Sequence, residues 1–221
     1  GNASTGLGID RADRKLSTYD ILVGNHQISE IVVPTDVPRL SVAPSTLDLL
    51  GAEMEIASQS DRAYRIRNSI RSGVIDREGV PFDYLLIDCP PSLNLLTINA
   101  MAASNSVLVP LQCEFFALEG LSQLLTTVEQ VRGSVNPDLH IHGIVLTMYD
   151  SRNNLSGQVM ADVRSYMGDA VYKTVIPRNV RVSEAPSYGK PALLYDFKCS
   201  GSQAYLRLAS VGIQRERGLR A

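Results

Sequence analysis

The chain has 221 residues, 44% of them apolar and 20% charged, proportions of a folded globular protein with room for a sizeable core rather than of a fibrous, low-complexity or disordered chain. Its three cysteines (Cys89, Cys113 and Cys199) share no metal-ligand spacing and cannot all pair, which favours reduced thiols in a cytoplasm. No apolar run reaches the roughly 18 residues of a membrane span, no signal-peptide pattern opens the sequence, and the net charge is -2.

That charge is unevenly spread. Residues 1–150 hold 10 Lys/Arg against 18 Asp/Glu (-8), and residues 151–221 hold 11 against 5 (+6). A basic final third suits a local anionic partner such as nucleic acid or phosphate, and equally a solvated surface.

In chain order, Gly1-Asn2-Ala3-Ser4-Thr5-Gly6-Leu7-Gly8 is dense in small and polar residues and reads as a loop leading into a short helix. Ser17 to Val23 reads as a capped short helix closed by Gly24. Residues 39–43 form a strand candidate. A helix from Thr46 runs through Leu47, Leu50, Met54 and Ala57, and another over 62–72 turns Tyr64, Ile66 and Ile70 inward and its four arginines largely outward. Beyond an apolar run at 82–87, Ser92 is placed to cap a helix carrying Leu93, Leu96, Ile98, Ala100 and Met101. Residues 106–111 read as a strand. The periodic stretch 118–131 reads as a helix burying Leu121, Leu124, Leu125, Val128 and Val131. A strand over 142–147, a polar loop, a helix over 159–167, a strand over 170–176 and a last helix over 202–215 complete the chain. Strands alternating with helices from about residue 40 predict an α/β fold, a mostly parallel sheet with helices on both faces, in one domain spanning 1–221.

The stretch Phe82-Asp83-Tyr84-Leu85-Leu86-Ile87-Asp88-Cys89-Pro90-Pro91 carries the sharpest functional signal. Leu85, Leu86 and Ile87 are apolar without alternation, as expected of a strand buried on both faces. Asp88 would then sit at its carboxyl end, where open α/β sheets place ligands. Two readings fit: a Walker B carboxylate holding magnesium on a nucleotide phosphate, or a cap for the next helix.

Several blocks carry a resemblance. Gly1 to Gly8, Leu86-Ile87-Asp88-Cys89-Pro90-Pro91-Ser92, Gln112-Cys113-Glu114, Ala117-Leu118-Glu119-Gly120-Leu121, Ile176-Pro177-Arg178-Asn179-Val180-Arg181 and Ser183-Glu184-Ala185-Pro186-Ser187-Tyr188-Gly189-Lys190-Pro191 stand in one order. In these blocks the chain resembles the ParA/Soj partitioning ATPases of the deviant Walker A class over essentially its whole length, and the chromosomal, Soj-like branch more than MinD. The resemblance implies a P-loop NTPase-like fold with ATP and magnesium as cofactors. No G-x-x-x-x-G-K-[ST] occurs in the sequence. The family's phosphate loop precedes an Asp-Pro-Gln-Gly-Asn segment inside which this sequence begins. The chain is accordingly read as an N-terminally truncated member, lacking the first strand and unable to bind ATP normally; the alternative is a naturally degenerate ATPase.

Within that resemblance Asp88 is the magnesium-binding catalytic residue. Pro90 and Pro91 stiffen a loop that senses the γ-phosphate, and Gly1 and Asn2 end the first switch. Pro177, Arg178 and Asn179 form the turn that cradles adenine, Asn179 bonding the base edge, with Thr147 and Met148 lining the same pocket. Arg152 and Arg181 match positions of sequence-independent contact with double-stranded DNA, where an arginine fork suits phosphate; Lys173, Lys190, Lys198 and Arg207 could extend the patch. Cys89 and Cys113 invite comparison with iron–sulfur relatives but sit in blocks typical of partition proteins. The implied function is an ATP-dependent homodimer on the nucleoid, released when a ParB-like centromere-binding partner stimulates hydrolysis, in the cytoplasm and away from the membrane. The rivals are a MinD-like membrane-cycling ATPase and a non-catalytic DNA-binding or interaction module.

Overall fold

Three apolar runs, residues 106–112, 140–149 and 171–177, form a parallel sheet in the computed structural model, which describes residues 2–24, 26–71, 74, 79–90, 92 and 94–219. The chain divides into two compact units, Gly1–Ser104 with Val131–Pro137 and Pro186–Lys190, and Asn105–Gln130 with Asp138–Ala185 and Pro191–Ala221.

In the first unit the helices are α1 (Asn2–Gly6), α2 (Thr18–Val23), α3 (Ile28–Ile31), α4 (Leu49–Ile56), α5 (Arg65–Ile70) and α6 (Leu95–Ala103); β1 (Val33–Pro34) pairs antiparallel with β2 (Ser41–Val42). Helix α2 forms as its sequence predicts. The Ser17 hydroxyl accepts from the Tyr19 amide at 3.2 Å, the Asp20 carboxylate accepts from the Ser17 amide at 2.7 Å, and Gly24 ends the helix. The core here includes two small clusters of described residues, one around Ile21, Ile28 and Ile31, the other around Leu22, Ala52 and Ile56. The buried Arg14 donates to the Thr5 hydroxyl at 3.0 Å, the Ile9 carbonyl at 2.7 Å and the Ser45 carbonyl at 3.1 Å, tying the first nine residues to the loop before α4.

Four expectations are corrected in this unit. Residues 2–6 are helical rather than a loop. Helix α4 starts at Leu49 rather than Thr46, and it turns Ala52 and Ile56 inward while leaving Leu50 and Met54 at 76% and 81% exposure, because its apolar residues lie on more than one face and packing selects among them. The arginines of α5 and its flanks lie largely outward as expected, Arg62, Arg67 and Arg71 being exposed, while Arg65 turns in and donates to the Leu22 carbonyl at 2.8 Å and the Val23 carbonyl at 3.3 Å. Asn94, not Ser92, caps α6, accepting from the Thr97 amide at 3.2 Å. Most consequentially, residues 83–90 form no strand, and Leu86 is 87% exposed. An apolar run becomes a two-faced buried strand only when ladder partners and covering layers take up its amides and side chains. Among the described residues no strand ladder takes in residues 83–90.

In the second unit the strands are β3 (Ser106–Gln112), β4 (His140–Tyr149) and β5 (Val171–Pro177), in the order β3-β4-β5, with α7 (Ala117–Ser134) and α8 (Asn154–Met167) between them in sequence. Short helices α9 (Val180–Glu184) and α10 (Ala192–Tyr195) lead to α11 (Ser200–Leu219). Alternation along each strand sorts the core onto two faces. Val109, Leu111, Ile144, Leu146 and Val171 meet Leu121 of α7 and Val159 and Val163 of α8. Val145, Tyr172 and Ile176 meet Ala204 and Leu208 of α11 on the other face. The fold is α/β, a parallel sheet with helices on both faces, as the alternation of elements predicted.

Arg215 of α11 closes that second face. Its guanidinium lies 4.3 Å from the Tyr172 ring centre and donates to the His142 carbonyl at 3.0 Å and the Asp169 carbonyl at 2.8 Å. The Tyr172 hydroxyl is 2.8 Å from His142 Nδ1.

Candidate functional site

The pleat that sorts the core also builds a pocket. Pro110 and Gln112 share the face of β3 opposite Val109 and Leu111. Thr147 lies beside Gln112 in the β3–β4 register, and Ile176 joins them from β5. These residues, with Met148, Pro177, Asn179, Val182, Ser183 and Tyr205, line a cavity of about 240 Å³ at the carboxyl edge of the sheet. The volume lies below the range typical of drug-sized ligand pockets and suits a single planar fragment. Met148 holds a left-handed backbone, φ 54°, beside a register irregularity between Leu146 and Tyr149. Such a conformation costs a non-glycine residue roughly 1–3 kcal/mol and concentrates at functional sites.

Asn179 does something the sequence did not disclose. Its side-chain oxygen accepts from the amides of Arg181 at 2.9 Å and Val182 at 3.3 Å, capping α9, and its amide nitrogen donates to the Ser200 hydroxyl at 3.0 Å. The neighbouring Arg178 fastens the turn, its backbone amide donating to the Tyr149 carbonyl at 2.9 Å.

Arginines follow the pocket strands. Arg152, in the β4–α8 loop, forks onto Asp150 through Nε at 3.0 Å and Nη2 at 2.8 Å. Those bonds, with the Arg178 charge behind them, hold the Asp150 carboxyl down to about 2. Arg181 on α9 pairs with Glu184 at 3.1 Å and Asp196 at 3.7 Å. Lys173, Arg178, Lys198 and Arg207 are exposed.

The other expected site residues belong to the first unit. Asp88 and Pro90 lie exposed in the extended stretch, and Asn2 is exposed in α1; Gly1 and Pro91 fall outside the described residues. Among the described residues no group of three or more His, Cys, Asp or Glu side chains could hold a metal ion. The structure thus brings Thr147, Met148, Pro177 and Asn179 together around one cavity and sets Arg152, Arg178 and Arg181 on the elements that follow its strands. Sequence reasoning missed Pro110, Gln112, Val182, Ser183 and Tyr205. The signal available for Gln112 was its in-phase position with Pro110 at the polar end of an apolar strand.

A family model described as an AAA domain matches residues 1–141. The chromosome partitioning protein ParA of Caulobacter vibrioides is 58% identical over 221 residues, covering 100% of this chain and 82% of that protein. The chain belongs to the ParA/Soj family of chromosome-partitioning ATPases. The sporulation initiation inhibitor protein Soj of Bacillus subtilis is 51% identical over 209 residues, 95% of this chain and 81% of that protein. Among solved structures, cobyrinic acid a,c-diamide synthase from Mycobacterium smegmatis, with bound ATP analog and magnesium, superposes with a TM-score of 0.70 at 33% identity, covering 84% of this chain and 75% of that one. For this ParA/Soj member no described helix is long and apolar enough to cross a membrane.

Proposed function

We propose that this ParA/Soj chain is an ATP-dependent DNA-partitioning switch, working as one domain over 1–221 that is cytoplasmic and nucleoid-associated. The observation that carries the reading is the base-sized, apolar-walled cavity at the carboxyl edge of a parallel sheet, with strained Met148 on its wall. Thr147, Met148, Pro177, Arg178 and Asn179 hold the base, Pro177 as an apolar wall and Asn179 by shaping the turn. Asp88 is the magnesium ligand; a hard cation of this size needs only one or two carboxylates beside phosphate oxygens, which a single exposed Asp fits. Gly1, Asn2 and Pro90 border the phosphates. Magnesium-bound ATP supplies the phosphoanhydride whose hydrolysis resets the switch.

Two protomers associate in the ATP state and expose Arg152 and Arg181 to double-stranded DNA without sequence preference. A ParB-like partner stimulates hydrolysis and release. Because the contacts are to phosphates, binding weakens steeply with salt. The test is DNA retention by the full-length protein with and without ATP and magnesium: equal retention in both states removes the switch. A membrane-cycling reading is favoured by one observation, the 39–40% exposure of Val211 and Ile213 on α11. Vesicle co-sedimentation separates the two, ATP-dependent pelleting with anionic lipid favouring the membrane.

A further inference from the structure

We infer that Gln112 reads the base edge in this pocket and is its specificity-determining residue, an inference that rests on the nucleotide reading above. Asn179 is already committed: both acceptor sites of its oxygen serve the start of α9 and its nitrogen donates to Ser200. Withdrawing it from that cap would cost about 1 kcal/mol. The Ser183 hydroxyl turns back onto the Asn179 carbonyl at 3.4 Å. Thr147 and Tyr205 each offer one hydroxyl, able to meet one position on a base. Gln112 is different in kind. Its side chain makes no hydrogen bond to another described residue, it projects from the last position of β3 into the cavity lining, and it offers a donor and an acceptor side by side.

That pair is complementary to adenine: the amide oxygen accepts from the exocyclic amine while the amide nitrogen donates to the adjoining ring nitrogen. An amide can also turn over and face guanine, so the decisive variant is one that cannot. Gln112→Glu presents acceptors alone when ionised. It would lose the bond to the adenine ring nitrogen and gain a match to the two neighbouring N–H groups of guanine.

Calorimetric titration of the full-length protein with ATP and with GTP, magnesium present, tests this in wild type, Gln112→Glu and Gln112→Met. Because the Gln112 amide holds no other described residue, both variants should melt with the wild type. Gln112→Met should lower ATP affinity about tenfold, the worth of about 1.4 kcal/mol of lost hydrogen bonding. Gln112→Glu should shift the ATP-to-GTP preference by at least about tenfold toward GTP. An unchanged preference ratio in Gln112→Glu, or an equal loss of both nucleotides in both variants, overturns the assignment. A wild-type protein that binds neither nucleotide overturns the nucleotide reading itself and the inference with it.

Discussion

Two apolar runs that look alike in sequence behave oppositely. Residues 82–87 and residues 106–112 are both strand-like runs ending at a polar side chain, yet only the second is in a sheet. In β3, Val109 and Leu111 are buried against α7 and α8 and every residue has a register partner in β4. In the first run, Leu86 is 87% exposed and residues 83–87 belong to no strand ladder. Strand propensity is the ability to fit a half-buried pleated surface, so the surface has to be supplied by the rest of the fold.

The sharpest way to break this comparison is to truncate both regions. Leu146, fully buried in the sheet core, should lose about 2–5 kcal/mol of stability on substitution by Ala in denaturant melts. Leu86→Ala should stay within about 0.5 kcal/mol; a large loss at Leu86 would mean the run is packed in solution. Next in size is Asn179→Ala, which removes the α9 cap and should cost about 1 kcal/mol in the same melts. If ATP affinity falls while stability does not, Asn179 touches the base after all.

A pH dependence sharpens the second unit further. Burial, then the positive Arg215, lowers the His142 pKa, with Glu216 opposing and His140 assisting; Tyr172 faces the ring as hydrogen-bond partner. The folded state therefore resists protonation that the unfolded chain accepts. This contribution is complete above the unfolded value near 6.5 and is lost as pH falls from there through the lowered folded value. Melting temperature should decline on acidification below about pH 6.5, and His142→Gln should flatten that decline. Asp150, held near 2 by Arg152, contributes only far lower, as pH falls from about 3.9 toward 2.

The smallest expected effect concerns the proposed DNA surface. Asp150→Asn releases Arg152 from its fork and removes one negative charge. DNA affinity should rise a few-fold, and the slope of log affinity against log salt should steepen by roughly one phosphate contact. An unchanged slope would remove Arg152 from the interface.

By itself the sequence determined the family, carried by blocks such as Gly1 to Gly8 and Ile176 to Arg181. It also determined the elements whose periodicity is unambiguous: β3, β4, β5, α7, α8 and α11 appear within a few residues of where the pattern put them, because one stripe or one alternation dominates each. The tertiary structure alone decided the rest. Helix α4 carries apolar residues on more than one face, so only packing could choose Ala52 and Ile56 over Leu50 and Met54. Asn179 looked free to meet a base until α9 claimed its oxygen and Ser200 its nitrogen. Gln112 acquired its place only when the pleat set it beside Thr147 on the α11 face. Periodicity is local and survives in the sequence, whereas which hydrogen-bonding groups remain unspent depends on partners brought from elsewhere in the chain.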